Sequence, residues 1–161
     1  MEKSSPWTRS LKGRWEVRCE WGLRGLVALA SMSDVVVIVD VLSFSTCVEI
    51  AVSRGAVIFP FAWKDARAAG FAREVGAELA GPRGKTRFSL SPASFLRVSP
   101  GMRIVLPSPN GAVLSLEAGQ AVVLAGCLRN AAAVARAAQA VGRRVLVLPA
   151  GEQWPDGSLR P

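Results

Sequence analysis

The stretch VVVIVDVLSFSTCVEIAVSRG, residues 35–55, passes from a β-branched run through Asp40 and the hydroxyls of Ser43, Ser45 and Thr46 into a second apolar segment that ends at Gly55. Val35 to Val41, broken only by Asp40, is apolar at successive rather than alternate positions, the pattern of a strand covered on both faces. Thr46 to Arg54 then places Val48, Ile50, Ala51 and Val52 before a glycine, the pattern of a helix and its stop. Thr46-Cys47-Val48-Glu49 also matches the capping box S/T-x-x-E, so the spacing predicts Thr46 as the helix cap with Glu49 reaching back to it. Strand followed by helix is the repeating unit of a parallel sheet, because parallel neighbours need a crossover connection.

The unit recurs outward from this stretch. Upstream, WEVRCE (Trp15 to Glu20) alternates apolar and polar side chains as a half-buried edge strand does, and residues 1–13 form a polar, basic tail. Downstream, Ala56 to Phe61 reads as a strand, Asp65 to Val75 as an alanine-rich helix closed by Gly76, and Ala77 to Ala80 as a short strand. Gly81 to Gly101 is rich in Gly, Pro and Ser and is expected to be irregular, a long loop of the functional kind. Arg103 to Leu106 resumes a strand, the turn Pro107 to Gly111 leads into a short helix, and Ala121 to Ala125 is a further strand. Asn130 to Val141 reads as a helix ended by Gly142, and Arg143 to Leu148 as a last strand. The expected fold class is α/β: a mostly parallel or mixed sheet flanked by helices in three α/β/α layers, built as a single domain over residues 14–161.

The chain of 161 residues is 50% hydrophobic and 20% charged, the balance of a globular protein. Its net charge of +8 suits an anionic partner, but the arginines are spread along the sequence and no RRM-like aromatic signature or zinc-finger spacing occurs, so no nucleic-acid partner is expected. There is no histidine, which removes a Ser-His-Asp triad, a histidine phosphoenzyme and an imidazole metal ligand from the mechanisms open to this chain. Cys19, Cys47 and Cys127 are odd in number and far apart; each is expected to be a small buried hydrophobe in a reducing cytoplasm. The apolar segment Gly22 to Met32 has Glu16 and Glu20 where a secretory signal would be basic, and no apolar run is long enough to cross a bilayer, so the chain is expected to be soluble with no membrane partner.

Polar residues fall where these strands would end: Asp40 with Ser43 to Thr46, then Ser108, Asn110 and Gly111, then Arg129 and Asn130, then Glu152 and Asp156. In an open α/β sheet, ligands bind outside the carboxyl ends of the strands, and helix N-termini there present free N–H groups to anions. Asp40 poses the sharpest question, because an uncompensated carboxylate at the end of a buried strand costs several kcal/mol. A metal ion, most simply Mg²⁺, answers it, and so do backbone donors. Asn110-Gly111 is equally a turn needing positive φ, and Asn130 equally a helix cap. Known phosphotransfer patterns do not fit: Leu42 stands where a haloacid-dehalogenase-type site has its second acid, neither Cys47 nor Cys127 is followed by C-x5-R, and Gly81 to Lys85 is not a Walker A loop.

Taken in order, VVVIVDVLSFSTCVEIAVSRGA, GPRGK, SPNG, AGCLRNAAAVA and VLVLPAGEQWPDGSL resemble the 2-phosphosulfolactate phosphatase family, whose segments read approximately DVLRA-ST, GERGG, TTNGT, NA-AVA and CAGTEG-FSLED. The resemblance runs from about Trp15 to the end. It implies an α/β fold and Mg²⁺-dependent hydrolysis of a small phosphorylated acid. Residue by residue, it sets Asp40 on the family's strand-end aspartate, Arg83 and Gly84 on the RG of GERGG, and Asn110 and Gly111 on its Asn-Gly turn. Asn130 falls on the asparagine that opens the alanine-rich helix, and Gly151 with Glu152 on AG-x-G. The chain departs from the pattern at Ser43, where the family has arginine, at Pro82, where it has glutamate, and at Pro107 to Pro109, where it has threonines. Family members also run on for about another third of this length, so the C-terminal part of the family fold is expected to be lacking.

The expected activity is therefore a Mg²⁺-dependent phosphatase acting on a small acidic phosphomonoester. Asp40 and Glu152 are its catalytic candidates, and Asp40, Glu152 and Asp156 its metal ligands. Ser43, Ser45, Arg83, Lys85, Asn110, Gly111, Arg129 and Asn130 are expected to bind the substrate through helix-end amides and cationic side chains. The alternative is a non-catalytic anion-binding homologue, suggested by Ser43 and Pro82, and homo-oligomerisation is left open.

Overall fold

Val35, Val36 and Ile38 are fully buried, as a strand walled in on both faces must be. In the computed structural model, which describes residues 15–62, 66–153 and 159–160, the strands are β1 (Glu16–Cys19), β2 (Val35–Val39), β3 (Val57–Phe61), β4 (Glu78–Leu79), β5 (Arg103–Pro107), β6 (Val122–Gly126), β7 (Arg144–Pro149), β8 (Glu152–Gln153) and β9 (Leu159–Arg160). The helices are α1 (Gly22–Leu29), α2 (Phe44–Ser53), α3 (Ala66–Glu74), α4 (Gly111–Glu117) and α5 (Ala131–Val141).

The strands divide between two all-parallel sheets, one in the order β1-β7-β2-β6 and one in the order β3-β5-β4, while β8 and β9 make a short antiparallel pair. Parallel sheets flanked by five helices give the layered α/β fold expected from the sequence. Side-chain alternation along β2 shows the layers directly. Val36 and Ile38 pack with Leu26 of α1, Leu114 of α4 and Leu146 of β7, whereas Val35 and Val37 point the other way, to Ala138 of α5. Helix α2 packs against both β6 and β3, and α4 against both β2 and β3, so these two helices join the sheets.

A second core forms around α2. Phe44, Cys47, Ile50 and Ala51 meet Ile104 and Leu106 of β5, together with Phe88, Phe95 and Val98 from the segment expected to be a long irregular loop. That segment is irregular apart from a 3₁₀ turn at Pro92–Phe95, but it is not peripheral: the Phe88 and Phe95 rings stack at 5.3 Å between centroids and are fully buried. Each such ring stabilises the fold by about 1.5–3 kcal/mol, which anchors the segment against α2.

The predicted capping box does not form. Helix α2 begins at Phe44, two residues before Thr46, so Thr46 lies inside the first turn and its hydroxyl donates to the Val41 carbonyl at 2.9 Å. Glu49 instead accepts from the Arg129 guanidinium at 2.6 Å. The end of α2 is as expected: Gly55 takes φ +80°, the left-handed region that only glycine enters without cost. Cys47 and Cys127 are buried but Cys19 is exposed, because the edge strand β1 turns it outward. Gly22 to Met32 makes α1 and a following 3₁₀ turn, and among the described residues no helix is long and apolar enough to cross a membrane.

Candidate active site

Asp40 directly follows β2 and sits against α2. Its Oδ1 accepts the Phe44 amide at 3.3 Å, its Oδ2 accepts the Gly111 amide at 3.0 Å, and its own amide donates to Ser45 Oγ at 3.0 Å. The backbone donors that the sequence offered as one answer to this carboxylate are thus present. Gly111 is glycine for want of room rather than for positive φ: a Cβ there would lie 2.3 Å from Phe44 Cδ1 and 2.8 Å from Asp40 Oδ2.

The Asn-Gly turn links Asp40 to a further acid. Asn110 Nδ2 donates to Glu152 Oε1 at 3.4 Å, so the loops after β2, β5 and β7 come together through Asp40, Asn110–Gly111 and Glu152. Glu152 is exposed, in the short strand β8. Asp156 lies outside the described residues.

Another set of contacts joins α2 to the 81–101 segment. Ser43 Oγ donates to the Leu90 carbonyl at 2.6 Å, and the Arg83 guanidinium reaches both that carbonyl, at 3.0 Å from Nε, and Ser43 Oγ, at 3.5 Å. Where the family pattern has an arginine after DVL, this chain has a serine that touches an arginine from another loop. Cys47 lies beneath this cluster; burial pushes its thiol up to about 12, so it is protonated at neutral pH and is no nucleophile. Lys85 is exposed on the same loop as Arg83, with its amide bonded to the Pro82 carbonyl.

Other residues expected to contact substrate also have partners within the fold. Ser45 is fully buried, its hydroxyl bonded to the Ile38 carbonyl at 3.1 Å and its amide to the Asp40 carbonyl at 2.8 Å. Asn130 closes the loop after β6, accepting the Cys127 amide at 2.8 Å and donating to the Ala125 carbonyl at 2.9 Å. Arg129 pairs with Glu49, and that hydrogen bond holds its guanidinium more firmly protonated while leaving it largely exposed. The Ser43–Leu90–Arg83 cluster and the Arg129–Glu49 pair carry no motif signature, because each is created by folding between distant loops.

The donor set suits Mg²⁺. Asp40 and Glu152 offer only oxygen atoms and the chain has no imidazole, whereas Mg²⁺ takes one or two carboxylates and completes its shell with water and substrate phosphate. A cavity of about 1060 Å³ lies elsewhere, beside the Asp34–Arg144 pair at the start of the strands, and size alone does not point to the carboxylates.

A family model described as 2-phosphosulpholactate phosphatase matches residues 24–157. No curated protein matches the chain.

Proposed function

The chain belongs to the 2-phosphosulpholactate phosphatase family, and from that premise we propose that it hydrolyses the phosphomonoester of a small acid with Mg²⁺ as cofactor. The observation that carries this reading is the meeting of the loops after three strands, in which the Gly111 amide bonds Asp40 and Asn110 bonds Glu152. It supports a carboxylate pair at the carboxyl ends of parallel strands, where α/β proteins hold their ligands.

In the proposed reaction Glu152 takes a proton from the attacking water as its oxygen bonds to phosphorus. The ester P–O bond breaks, its electron pair passes to the leaving oxygen, which takes a proton from solvent water while Glu152 returns its own to solvent, and a hydroxy acid and inorganic phosphate are released. Asp40, held by two backbone amides, is a fixed charge rather than a mobile nucleophile. The amides of Ser45 and Gly111 are engaged by Asp40, so the phosphoryl charge falls to Arg83, Lys85 and Arg129. Held by Asp40 and Glu152, Mg²⁺ would add the positive charge that polarises a phosphoryl oxygen.

A second reading, a non-catalytic anion binder, draws on the serine at position 43, whose hydroxyl is bonded to a carbonyl in place of a phosphate-clamping arginine. Phosphate release from 2-phosphosulfolactate and 2-phospholactate, measured with Mg²⁺ and with chelator, separates the two. Metal-dependent release is expected; a ligand-induced thermal shift with no release from either ester would favour the binder.

A further inference from the structure

Strand β1 stands at one edge of the β1-β7-β2-β6 sheet, and its pairing with β7 fixes which of its backbone groups face outward. The Glu16 amide donates to the Arg143 carbonyl at 2.9 Å and the Glu20 amide to the Val147 carbonyl at 3.2 Å, so the even-numbered residues bond to β7. A strand in a parallel pair bonds its neighbour through alternate residues, which aims the amides and carbonyls of Val17 and Cys19 out of the edge, with Trp15 continuing the alternation. The side chains alternate as well. Trp15 and Val17 line an apolar groove of about 500 Å³ with Val145 and Val147 of β7, beside α5, and Val17 is 63% exposed. Glu16 and Arg18 lie on the opposite face, where Arg18 Nε donates to Glu16 Oε1 at 2.7 Å.

Edge strands invite pairing with another strand, and proteins discourage it with proline, bulges or charges. In β1 the charges are one of each sign, two residues apart, so the strand complements itself when set antiparallel to a copy. With Val17 opposite Val17 of the second copy, Glu16 falls opposite Arg18 and Trp15 opposite Cys19, each twice. This register also suits the backbone. Val17, Trp15 and Cys19, with their outward groups, take the hydrogen-bonded positions. Glu16 and Arg18 take the others, where facing Cα atoms are about 4.5 Å apart and side chains come closest. Centring the pair on Glu16 or on Arg18 would set each against its own like charge, which is destabilising. Centring it on Cys19 would run the strand into Gly22, where α1 begins.

We infer that this chain pairs with a second copy of itself through β1, antiparallel about a two-fold axis at Val17, so that two four-stranded sheets join into one. The ion pair within each β1 becomes a ring of four alternating charges on one face. On the other, the exposed Trp15, Val17 and Cys19 of both copies make one apolar stripe continuous with the two grooves. A contact built on a four-residue strand is smaller than a standard interface, so the dimer is expected to be weak, with a Kd of about 1–100 µM. The inference is independent of the phosphatase reading.

Sedimentation equilibrium of the full chain, from about 1 µM to about 1 mM, should show a reversible monomer–dimer exchange. Glu16→Arg, and separately Arg18→Glu, sets like charges opposite each other at both ends of the seam and should weaken the dimer at least about tenfold. The double variant Glu16→Arg, Arg18→Glu restores opposite signs and should return to within about threefold of the wild type. Val17→Cys in a Cys19→Ser background places two thiols across the axis on Cα atoms about 5.5 Å apart, within the span of a disulfide, so mild oxidation should link two copies. In the wild type, Cys19 should react with Ellman's reagent more slowly as the protein is concentrated. A chain that stays monomeric at about 1 mM overturns the inference, whether its edge is then met by another part of the chain or by water. So does a dimer that ignores the single charge reversals, one that the double variant fails to restore, or one in which the Val17→Cys thiols do not link.

Discussion

Asp40 and Gly111, 71 positions apart, are joined by a 3.0 Å hydrogen bond from the Gly111 amide to Asp40 Oδ2. The bond ties the end of β2, in one parallel sheet, to the start of α4, which follows β5 of the other. One contact therefore couples the packing of two sheets to the aim of one carboxylate.

Gly111→Ala is expected to damage both. The added Cβ would lie 2.3 Å from the Phe44 ring, a fully buried side chain at the start of α2. Overpacking of this kind costs about 1–3 kcal/mol, read as a lower midpoint in chemical or thermal unfolding. Phe44→Leu in the same background should recover part of the loss. If Gly111→Ala unfolds like the wild type, the close approach is not the reason for glycine.

Thiol chemistry checks the burial pattern. Ellman's reagent should modify Cys19 in the native protein and leave Cys47 and Cys127 unreacted, with all three modified on unfolding. Cys47 has two protections, an apolar enclosure and a thiol raised to about 12 by that burial. Fast native labelling in a Cys19→Ser, Cys127→Ser variant would contradict the placement of α2.

The pH dependence of stability should carry the mark of Asp34. Hydrogen bonds from the Arg144 guanidinium, and from the Arg144 and Arg143 amides, hold its carboxyl well below the ordinary carboxylate range. A folded-state pKa that is depressed gives stability fully present above the unfolded value of about 3.9, and lost as pH falls from there through the folded value. The melting-temperature advantage of the wild type over Asp34→Asn should therefore be constant near neutrality and shrink below about pH 4. An advantage that does not change with acid would rule out the pair as its source.

Much of the fold was legible because β2 is buried on both faces and its composition says so without help from context. Where the chain alternates strand and helix, element ends came out within a few residues. The start of α2 was misread because S/T-x-x-E describes a local option, and tertiary contacts took both partners: Thr46 went to Val41 and Glu49 to Arg129. The 81–101 segment was read as an irregular functional loop from its glycines, prolines and serines, and its core role was missed because Phe88 and Phe95 are buried only against the folded α2. At the site, Asp40, Asn110 and Glu152 stood out by their position after strands. The contacts among Ser43, Leu90 and Arg83 could not, since one partner is a backbone carbonyl and carbonyls have no sequence signature.

Glu152 offers the sharpest separation of chemistry from stability. It is exposed, and its described side-chain contact is a 3.4 Å hydrogen bond from Asn110, too weak and too wet to hold the fold together. Glu152→Gln preserves shape and can still accept from Asn110, so unfolding should shift by no more than about 0.5 kcal/mol. Removing a general base, by contrast, slows a reaction by about 10²–10⁴-fold, and at saturating Mg²⁺, of which Glu152 is also a proposed ligand, kcat for phosphate release should fall by that factor with KM little changed. Asn110→Ala, which leaves the carboxylate but removes the group that aims it, should lie between the two. A Glu152→Gln variant that is as active as the wild type would exclude proton transfer at this position, and one that loses stability in step with activity would make Glu152 a structural residue.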